Sequence, residues 1–345
     1  MMNQKNTLSI LSTIMVALVC ACMVSCDDEN DPEPKVQEDQ FSVCTLNVDG
    51  LVGLDNPGPE YTPVIGQWLT QGGFDFIGVQ EDFEYDQELS GPFAEGYDFD
   101  CWGGGMMNGV KLIYEPNEEN PEKIRFNTDG LKGFWKKGLK VERTDSVRWN
   151  RNCGYFAHAW DENVVKGFRR YDVTTPLGHQ LVIYNMHMDA GDTEEELAGT
   201  DEEDRLVRMS QWRQLRDYIM THLDHRPIII MGDLNTYYVR DSVESQVINV
   251  INKSGRATIT DAWIQQEKGG KYPSMGDTRI QYDSPTSGWT VNSEAPDKVF
   301  FINPTASNSK LILENVIFHN KTYFREDGVS PLGDHYPLSV HFRIK

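Results

Sequence analysis

The sequence is poor in basic residues. It carries 32 Lys and Arg against 53 Asp and Glu, which gives a formal net charge of −21. A field of that sign disfavours loose attraction to nucleic acid or to anionic lipid. It does not exclude either as a substrate, because a bound metal can invert the local sign of the charge.

Cysteines are also few, and their number excludes a full disulfide framework. Two of the six lie in the first 25 residues, and Cys26 lies in the lipidation motif described next. The remaining cysteines are Cys44, Cys101 and Cys153. Because that number is odd, they cannot all pair with one another. A Cys101–Cys153 bridge stays open as an alternative in an oxidising compartment.

The apolar run at the N-terminus is short for a membrane span. It extends from Leu8 to Val24 after a single charge, Lys5, and fits the hydrophobic region of a secretory signal. It ends in Val24-Ser25-Cys26, which resembles the lipobox of bacterial lipoproteins. We therefore expect residues 1–25 to be a signal peptide and Cys26 to be the lipidated first residue. An ordinary signal peptide with a chance cysteine is the alternative.

A polar, acidic segment follows Cys26. Residues 27–34 combine acids with two prolines and cannot bury enough apolar surface to order themselves. Residues 26–40 are therefore expected to be a solvated tether, with the folded domain spanning residues 41–345. This arrangement predicts a protein of the cell envelope, anchored by lipid to the outer membrane at its surface or periplasmic face. We expect a monomer.

Hydrophobic patterning from Phe41 onward predicts alternating strands and helices, without internal repeats. Predicted strands span residues 41–48, 74–80, 181–186, 228–231, 298–302, 311–318 and 338–344. Alternation of this kind predicts a layered α/β domain. Thr62-Pro63 predicts the start of a helix that continues to Gly72-Gly73.

A second helix is predicted from a capping box, Thr200-x-x-Glu203. Pro227 is expected to end it. Its apolar stripe consists of Leu206, Met209, Leu215, Ile219 and Leu223.

Polar residues recur just past the predicted strand ends, where α/β sheets place their sites. They are Asn47, Glu81, His187, Asp233, Asn235, Asp297, Asp334 and His335. Carboxylates such as Glu81 suit magnesium, and amide donors can hold phosphate oxygens. A histidine oriented by a carboxylate can take a proton from water. Together these groups supply what hydrolysis of a phosphoester needs.

The order of these motifs resembles the endonuclease/exonuclease/phosphatase superfamily, over nearly the whole chain from Phe41. The motifs are Thr-Leu-Asn47-Val-Asp-Gly-Leu, Gly-Val-Gln-Glu81, Tyr-Asn-Met-His187-Met-Asp, Met-Gly-Asp233-Leu-Asn235, Pro-Asp297-Lys-Val-Phe and Gly-Asp334-His335-Tyr-Pro-Leu. The resemblance implies a four-layer α/β sandwich, with two packed mixed β-sheets flanked by helices.

The resemblance also implies a metal site and a general base. Glu81 would be the main ligand of Mg²⁺, with Mn²⁺ as an alternative, assisted by Asn47 and Asp334. His335, oriented by Asp297, would deprotonate the attacking water.

The remaining implied roles concern the water and the phosphate. Asp233 would help align the water, Asn235 would bind phosphate, and His187 would bind a phosphate oxygen or stabilise the leaving group. The usual Ser-Asp-His reads Gly333-Asp334-His335 here, and the usual Asn-Thr-His-Leu-Asp reads Asn-Met-His187-Met-Asp. Neither change removes a catalytic group.

The substrate is less defined than the chemistry. Asn152-Cys153-Gly154, Lys166-Gly167-Phe168 and the loop after His187 are similar to segments of bacterial neutral sphingomyelinases. Together with the predicted anchor, they favour hydrolysis of a phospholipid headgroup. Phe134-Trp135 and its neighbouring lysines would be a membrane-docking or nucleic-acid patch, or a solvated loop with one buried Trp.

Three alternatives stay open. An envelope nuclease would act on nucleic acid despite the acidic composition. A phosphomonoesterase would act on inositol phosphates, although Asn235 is followed by Thr236-Tyr237-Tyr238 and lacks the Arg of inositol polyphosphatases. A surface binding lipoprotein without catalysis lies outside the enzyme class.

Overall fold

The computed structural model describes residues 38–51, 57–191, 201–277, 281–282 and 293–345. The predicted signal peptide, Cys26 and most of the predicted tether lie outside these ranges. Residues 39 and 40, assigned above to the tether, begin the first strand and pair with the last one. Among the described residues, no helix has both the length and the hydropathy needed to cross a membrane.

Two six-stranded sheets form the centre of the molecule. The first sheet has the strand order β15 (Leu311–Phe318), β16 (Leu338–Ile344), β1 (Asp39–Asn47), β2 (Phe76–Gln80), β6 (Lys132–Lys136) and β3 (Tyr97–Phe99). The second has the order β11 (Ala257–Asp261), β14 (Asp297–Pro304), β10 (Ile228–Asp233), β9 (Gln180–His187), β8 (Gly167–Thr174) and β7 (Lys140–Arg148). In each sheet one central pair is parallel, β1 with β2 and β9 with β10, and the other pairs are antiparallel.

Helices and two short two-stranded sheets complete the described fold. The helices are α1 (Gly58–Gly72), α2 (Asp86–Ser90), α3 (Glu202–Thr221), α4 (Asn249–Lys253) and α5 (Ala262–Lys268). The two-stranded sheets pair β4 (Leu112–Tyr114) with β5 (Ile124–Phe126) and β12 (Gln281–Tyr282) with β13 (Ser293–Glu294). Short helical turns span Gly91–Phe93, His158–Asn163 and Glu244–Ile248.

Apolar side chains from both sheets meet in a central core. Phe76 of β2 packs against Tyr171 of β8 with ring centroids 5.1 Å apart, and Phe301 of β14 packs against Phe342 of β16 at 5.4 Å. The central strands β1, β2, β9 and β10 are buried on both faces, because the outer faces are covered as well. The predicted sandwich of two mixed sheets is therefore confirmed.

Helices cover the outer faces of the two sheets. On the second sheet, Trp212 of α3 is fully buried against Phe300, with ring centroids 5.5 Å apart. On the first sheet, Ile65 and Leu69 of α1 are buried in a cluster that contains Leu46 of β1. The order helix, sheet, sheet, helix gives the four layers.

The first helix begins one turn earlier than predicted. It starts at Gly58, and Pro63 lies inside it, while Thr62 Oγ1 donates to the Gly58 carbonyl at 2.6 Å. Pro59 occupies the first turn, where a missing N–H costs nothing. The first of the two prolines therefore marks the start of the helix.

The second predicted helix differs at both ends. Thr200 lies outside the described residues, and Asp201 occupies the N-cap position of α3 without a side-chain cap. The helix ends at Thr221, well before Pro227. Leu206 is exposed, so the prediction that it lies on the apolar stripe is wrong. The buried apolar residues of α3 are Val207, Met209, Trp212, Leu215 and Ile219.

Two further expectations are corrected. The segment around Phe134-Trp135 is neither a docking patch nor a solvated loop, since it forms β6, in which Phe134 is fully buried. Lys132 is buried too, with Nζ 2.8 Å from Ser90 Oγ and paired with Asp86. The alternative of a disulfide is also excluded, because Cys101 and Cys153 are both free.

Candidate active site

Strand register brings the predicted residues to one edge of the double sheet. Asp233, the last residue of β10, lies opposite His187 at the end of β9 and Asp297 at the start of β14. Asn47 ends β1 opposite the residue before Glu81. β16 starts opposite Thr45, so the Asp334–His335 loop before it reaches the same edge.

His335 is held by a carboxylate and faces a second one. Its Nδ1 lies 2.7 Å from Asp297 Oδ2, and its Nε2 lies 3.7 Å from Asp233 Oδ2. Burial lowers the pKa of His335, but the charges of Asp297, Asp334 and Asp233 outweigh burial and hold it well above its usual value. A cation bound among these acids would reduce that effect and favour the neutral imidazole that a base requires.

Asn47 positions two of the acids. Its Nδ2 donates to Glu81 Oε1 at 2.9 Å and to Asp233 Oδ2 at 3.0 Å, and its Oδ1 accepts the N–H of Asp49 at 3.0 Å. Because Asn47 is itself almost fully buried, these bonds fix the two carboxylates relative to each other.

Acids near Glu81 concentrate negative charge that a divalent cation would neutralise. Ligand atoms of Glu81, His187 and Asp233 lie within 4.8 Å of one another and could hold a metal ion. Burial, and then the charge of Asp334, raise the pKa of Glu81 to about 7 and that of Asp49 to about 8. Such mutual repulsion is relieved when a cation binds between the carboxylates. Oxygen donors are the ligands that Mg²⁺ prefers, so Glu81, Asp49 and the exposed Asp334 fit this ion. Asp49 is not among the predicted site residues, although it lies within the Asn47 motif.

The backbone is strained where these side chains emerge. Asp49, Glu81 and Asn235 adopt positive φ angles of 49°, 57° and 44°. Non-glycine residues in this region cost energy and cluster at functional sites. Gly50 N donates to the Glu81 carbonyl at 3.0 Å, and a Cβ at Gly50 would lie 2.3 Å from that oxygen. The loop therefore requires glycine at position 50.

Lys166 is a second residue whose role sequence analysis missed. Its Nζ lies 3.1 Å from His187 Nε2, is paired with Asp161, and donates to the Met188 carbonyl at 3.3 Å. Burial lowers the pKa of Lys166, but Asp161 and Glu81 outweigh burial and raise it. Lys166 is therefore a fixed positive charge at the site. The similarity around Lys166-Gly167-Phe168 had pointed to this segment without assigning the lysine a role.

His187 lies between this cation and two acids. Its Nε2 is 3.5 Å from Asp233 Oδ2 and 3.7 Å from Glu81 Oε1. Burial, and then the charge of Lys166, hold the pKa of His187 well below its usual value. The side chain is therefore neutral, and Lys166 can donate to its Nε2.

Asn235 is anchored by its neighbours. Its N–H donates to Asp233 Oδ1 at 3.0 Å, and its Nδ2 donates to the Met188 carbonyl at 3.1 Å. One hydrogen of the Asn235 amide remains for a phosphate oxygen. The eight predicted residues thus lie at one edge of the sheets, and their individual roles stay predictions.

Comparison with known proteins identifies the fold. No family model and no curated protein matches the sequence. Solved structures do match, including an endonuclease/exonuclease/phosphatase family protein from Bacteroides thetaiotaomicron, at 15% identity and a TM-score of 0.55, covering 89% of this chain and 98% of that one. The chain therefore has the endonuclease/exonuclease/phosphatase fold.

Two further solved structures also match this chain. Zebrafish (D. rerio) TDP2, complexed with a single-strand DNA product, matches at 14% identity and a TM-score of 0.58, over 88% of this chain and 98% of that one. A mannosyl-6-phosphatase from Bacteroides thetaiotaomicron matches at 16% identity and a TM-score of 0.53, over 88% and 99%. At such identities the likeness concerns the fold alone.

Proposed function

We propose that this chain is a divalent-metal-dependent phosphoester hydrolase. The observation that carries the proposal is the pair His335–Asp297, with 2.7 Å between Nδ1 and Oδ2, placed beside Asp233 and Glu81. A carboxylate-oriented histidine next to a group of acids is what water activation beside a cation needs.

The reaction would be an in-line displacement at phosphorus. The oxygen of water forms a bond to phosphorus while the bond from phosphorus to the leaving oxygen breaks, and Nε2 of His335 accepts the water proton. Asp233 lies 3.7 Å from that nitrogen and would align the water. The leaving oxygen takes up a proton from solvent and departs as an alcohol, while His335 returns its proton to solvent.

Positive charge at the site would stabilise the transition state. Lys166 would act through its charge, because its three N–H groups are engaged by Asp161, His187 and the Met188 carbonyl. The remaining Asn235 amide hydrogen would donate to a phosphate oxygen. Glu81, Asp49 and Asp334 would hold the divalent metal, which supplies further positive charge to the phosphate.

For the substrate, we propose a phospholipid headgroup diester, as in a sphingomyelinase-like enzyme. An apolar pocket lies directly beside Glu81 and Lys166, and this supports a substrate with a hydrocarbon part. The net charge of −21 disfavours nucleic acid. The nuclease and the phosphomonoesterase are the alternatives that experiment must separate.

The test is hydrolysis of bis-p-nitrophenyl phosphate by the purified chain with Mg²⁺, with chelator, and with His335→Ala. Metal-dependent release of nitrophenolate that the variant loses is expected. Binding without turnover would instead support a surface binding lipoprotein.

Three parallel assays then identify the class of substrate. They measure phosphocholine release from sphingomyelin, nicking of plasmid DNA, and phosphate release from inositol phosphates. Nicking without phosphocholine release would overturn the lipid proposal and keep the hydrolase. Phosphate release alone would indicate a phosphomonoesterase.

A further inference from the structure

An apolar pocket adjoins the candidate active site. Its volume is about 660 Å³, and Glu81 and Lys166 belong both to its wall and to the site. Its apolar lining consists of Leu51, Phe83, Met106, Met107, Phe126, Phe156, Ala159, Trp160 and Val164. A substrate whose phosphorus lies beside Glu81 would therefore place its neighbouring group in this pocket.

One face of the β4–β5 hairpin continues the apolar lining. Leu112 lies opposite Phe126, and Tyr114 lies opposite Ile124. Directly opposed residues, and residues two apart on a strand, share one face, so all four side chains point the same way. Phe126 lines the pocket, whereas Leu112 and Tyr114 are 58% and 65% exposed. The apolar face thus extends from the pocket into solvent.

The turn around residues 155–160 forms the adjoining wall. Phe156 and Trp160 are 59% and 54% exposed, and their ring centroids lie 5.5 Å apart. The turn is joined to the hairpin, since Tyr155 Oη accepts the N–H of Ile124 at 3.2 Å. Both residues have positive φ angles, 55° at Phe156 and 62° at Trp160. Backbone strain and exposed aromatic rings both occur at ligand-binding sites. This turn has both features and lies beside the candidate active site.

The polar groups of the pocket are few. Asp161 and Lys166 pair with each other, so they offer little to a ring bearing many hydroxyl groups. Asn163 is almost fully buried and its Oδ1 accepts the N–H of Phe156 at 2.8 Å, while its Nδ2 has no hydrogen-bond partner. A buried, unpaired amide donor calls for an acceptor on the ligand. The pocket therefore suits a hydrocarbon with one carbonyl or ester oxygen.

We infer that the pocket and the β4–β5 face form a subsite for the hydrocarbon chain of an amphiphilic phosphoester, with Asn163 donating to an oxygen near the phosphate. The inference rests on the proposed function and names its substrate class. Loop 115–123 at the tip of the hairpin carries four glutamates and one lysine. Glu115 is paired with Arg125 and Arg148, and the remaining acids disfavour a headgroup that carries negative charge beyond the phosphate itself.

The experiment compares p-nitrophenyl methyl phosphate with p-nitrophenyl hexyl phosphate as substrates of the full chain. Each fully buried methylene contributes about fourfold, so kcat/KM should be at least about tenfold higher for the hexyl ester. The double variant Phe156→Ser/Trp160→Ser should reduce the ratio of the two kcat/KM values to roughly one. Leu177→Ser, an equally exposed apolar residue in the β8–β9 turn, should keep the wild-type ratio.

Other outcomes overturn the inference in distinguishable ways. Equal rates on both esters would exclude the subsite and leave the hydrolase intact. A preference for p-nitrophenyl thymidine phosphate that depends on Trp160 would assign the pocket to a nucleobase. If neither ester is cleaved, the diesterase part of the proposed function fails. In that case calorimetry tests the subsite separately, by comparing how tightly His335→Ala protein binds hexylphosphocholine and methylphosphocholine. Tighter binding of the hexyl compound would support the subsite, and equal affinities would exclude it.

Discussion

Lys166 Nζ lies 3.1 Å from His187 Nε2 in the interior of the protein. β8 and β9 are antiparallel neighbours with Phe168 opposite Met186, so the residue before β8 reaches the end of β9. Burial, and then the charge of Lys166, hold the pKa of His187 well below its usual value. Lys166 also places a fixed positive charge near the proposed phosphate site. This pairing underlies the first prediction.

Lys166→Met should lower kcat by about 10²-fold, because it removes charge stabilisation of the transition state. It should also lower the melting temperature, since Asp161 is left buried without its partner. Kinetics and thermal unfolding of the same preparation separate the two effects. Lys136→Met, at a half-exposed lysine on β6, is the matched control. Full activity in Lys166→Met would exclude the assigned role.

His335→Ala should lose about 10³-fold or more in rate while the fold survives. Asp297→Asn should lose less, and the double variant should be no worse than His335→Ala, because the two residues act as one unit. Steady-state rates with circular dichroism test this, with exposed His225→Ala as the control. Additive losses would show that Asp297 acts independently of His335.

Asp49→Asn should weaken Mg²⁺ binding, as should Glu81→Gln, because each removes one negative charge from the cation site. A loss of about tenfold or more in affinity is expected from calorimetry of the purified protein with Mg²⁺ alone. Asp217→Asn, at an exposed position of α3, should bind as the wild type does. Unchanged affinity in Asp49→Asn would leave Glu81 and Asp334 as the ligands.

Protein stability should fall as the pH drops from about 6.5 towards 4, in part through His319. Burial, and then the charge of His341, lower the pKa of His319 to about 4. The unfolded chain therefore binds a proton in this range that the folded one does not, and stability is lost as the pH falls. Between pH 7 and 5 the loss should be about 1 kcal/mol, after allowance for partial exposure. Urea unfolding at both pH values should show a smaller loss in His319→Gln, and an equal loss would refute the assignment.

Cys26→Ser should abolish incorporation of labelled palmitate and release the protein from the membrane fraction of cells. The prediction follows from the polar sequence directly after the cysteine, which fits a lipidated first residue better than a buried one. Labelling of Cys26→Ser at the wild-type level would refute it, and Cys101→Ser should label normally.

Local sequence determined much of the site. Each of the eight predicted residues lies at a strand end or within four residues of one. The runs 228–231 and 298–302 both lie within strands of the second sheet. Strand ends could be predicted because a buried strand must be apolar on both faces and must stop where polar residues begin.

Helix boundaries and buried charges were less predictable. The helix α1 was predicted to start at Thr62-Pro63, but it starts at Gly58, beside Pro57 and Pro59, and Pro63 lies inside it. The local sequence suggests that Lys132 lies on the surface. In the structure its side chain is buried and pairs with Asp86, which is distant in sequence. A charge can be buried only when a partner meets it, and the partner is a property of the tertiary fold.

The sequence by itself therefore determined seven of the twelve strands in the two main sheets and the polar residues at their ends, because hydrophobic periodicity and motif order are local. Only the tertiary structure decided that Lys166 reaches His187, that Asp49 joins Glu81, and that the β4–β5 face continues the pocket. Those relationships depend on how strands and loops distant in sequence pack together, which no local pattern records.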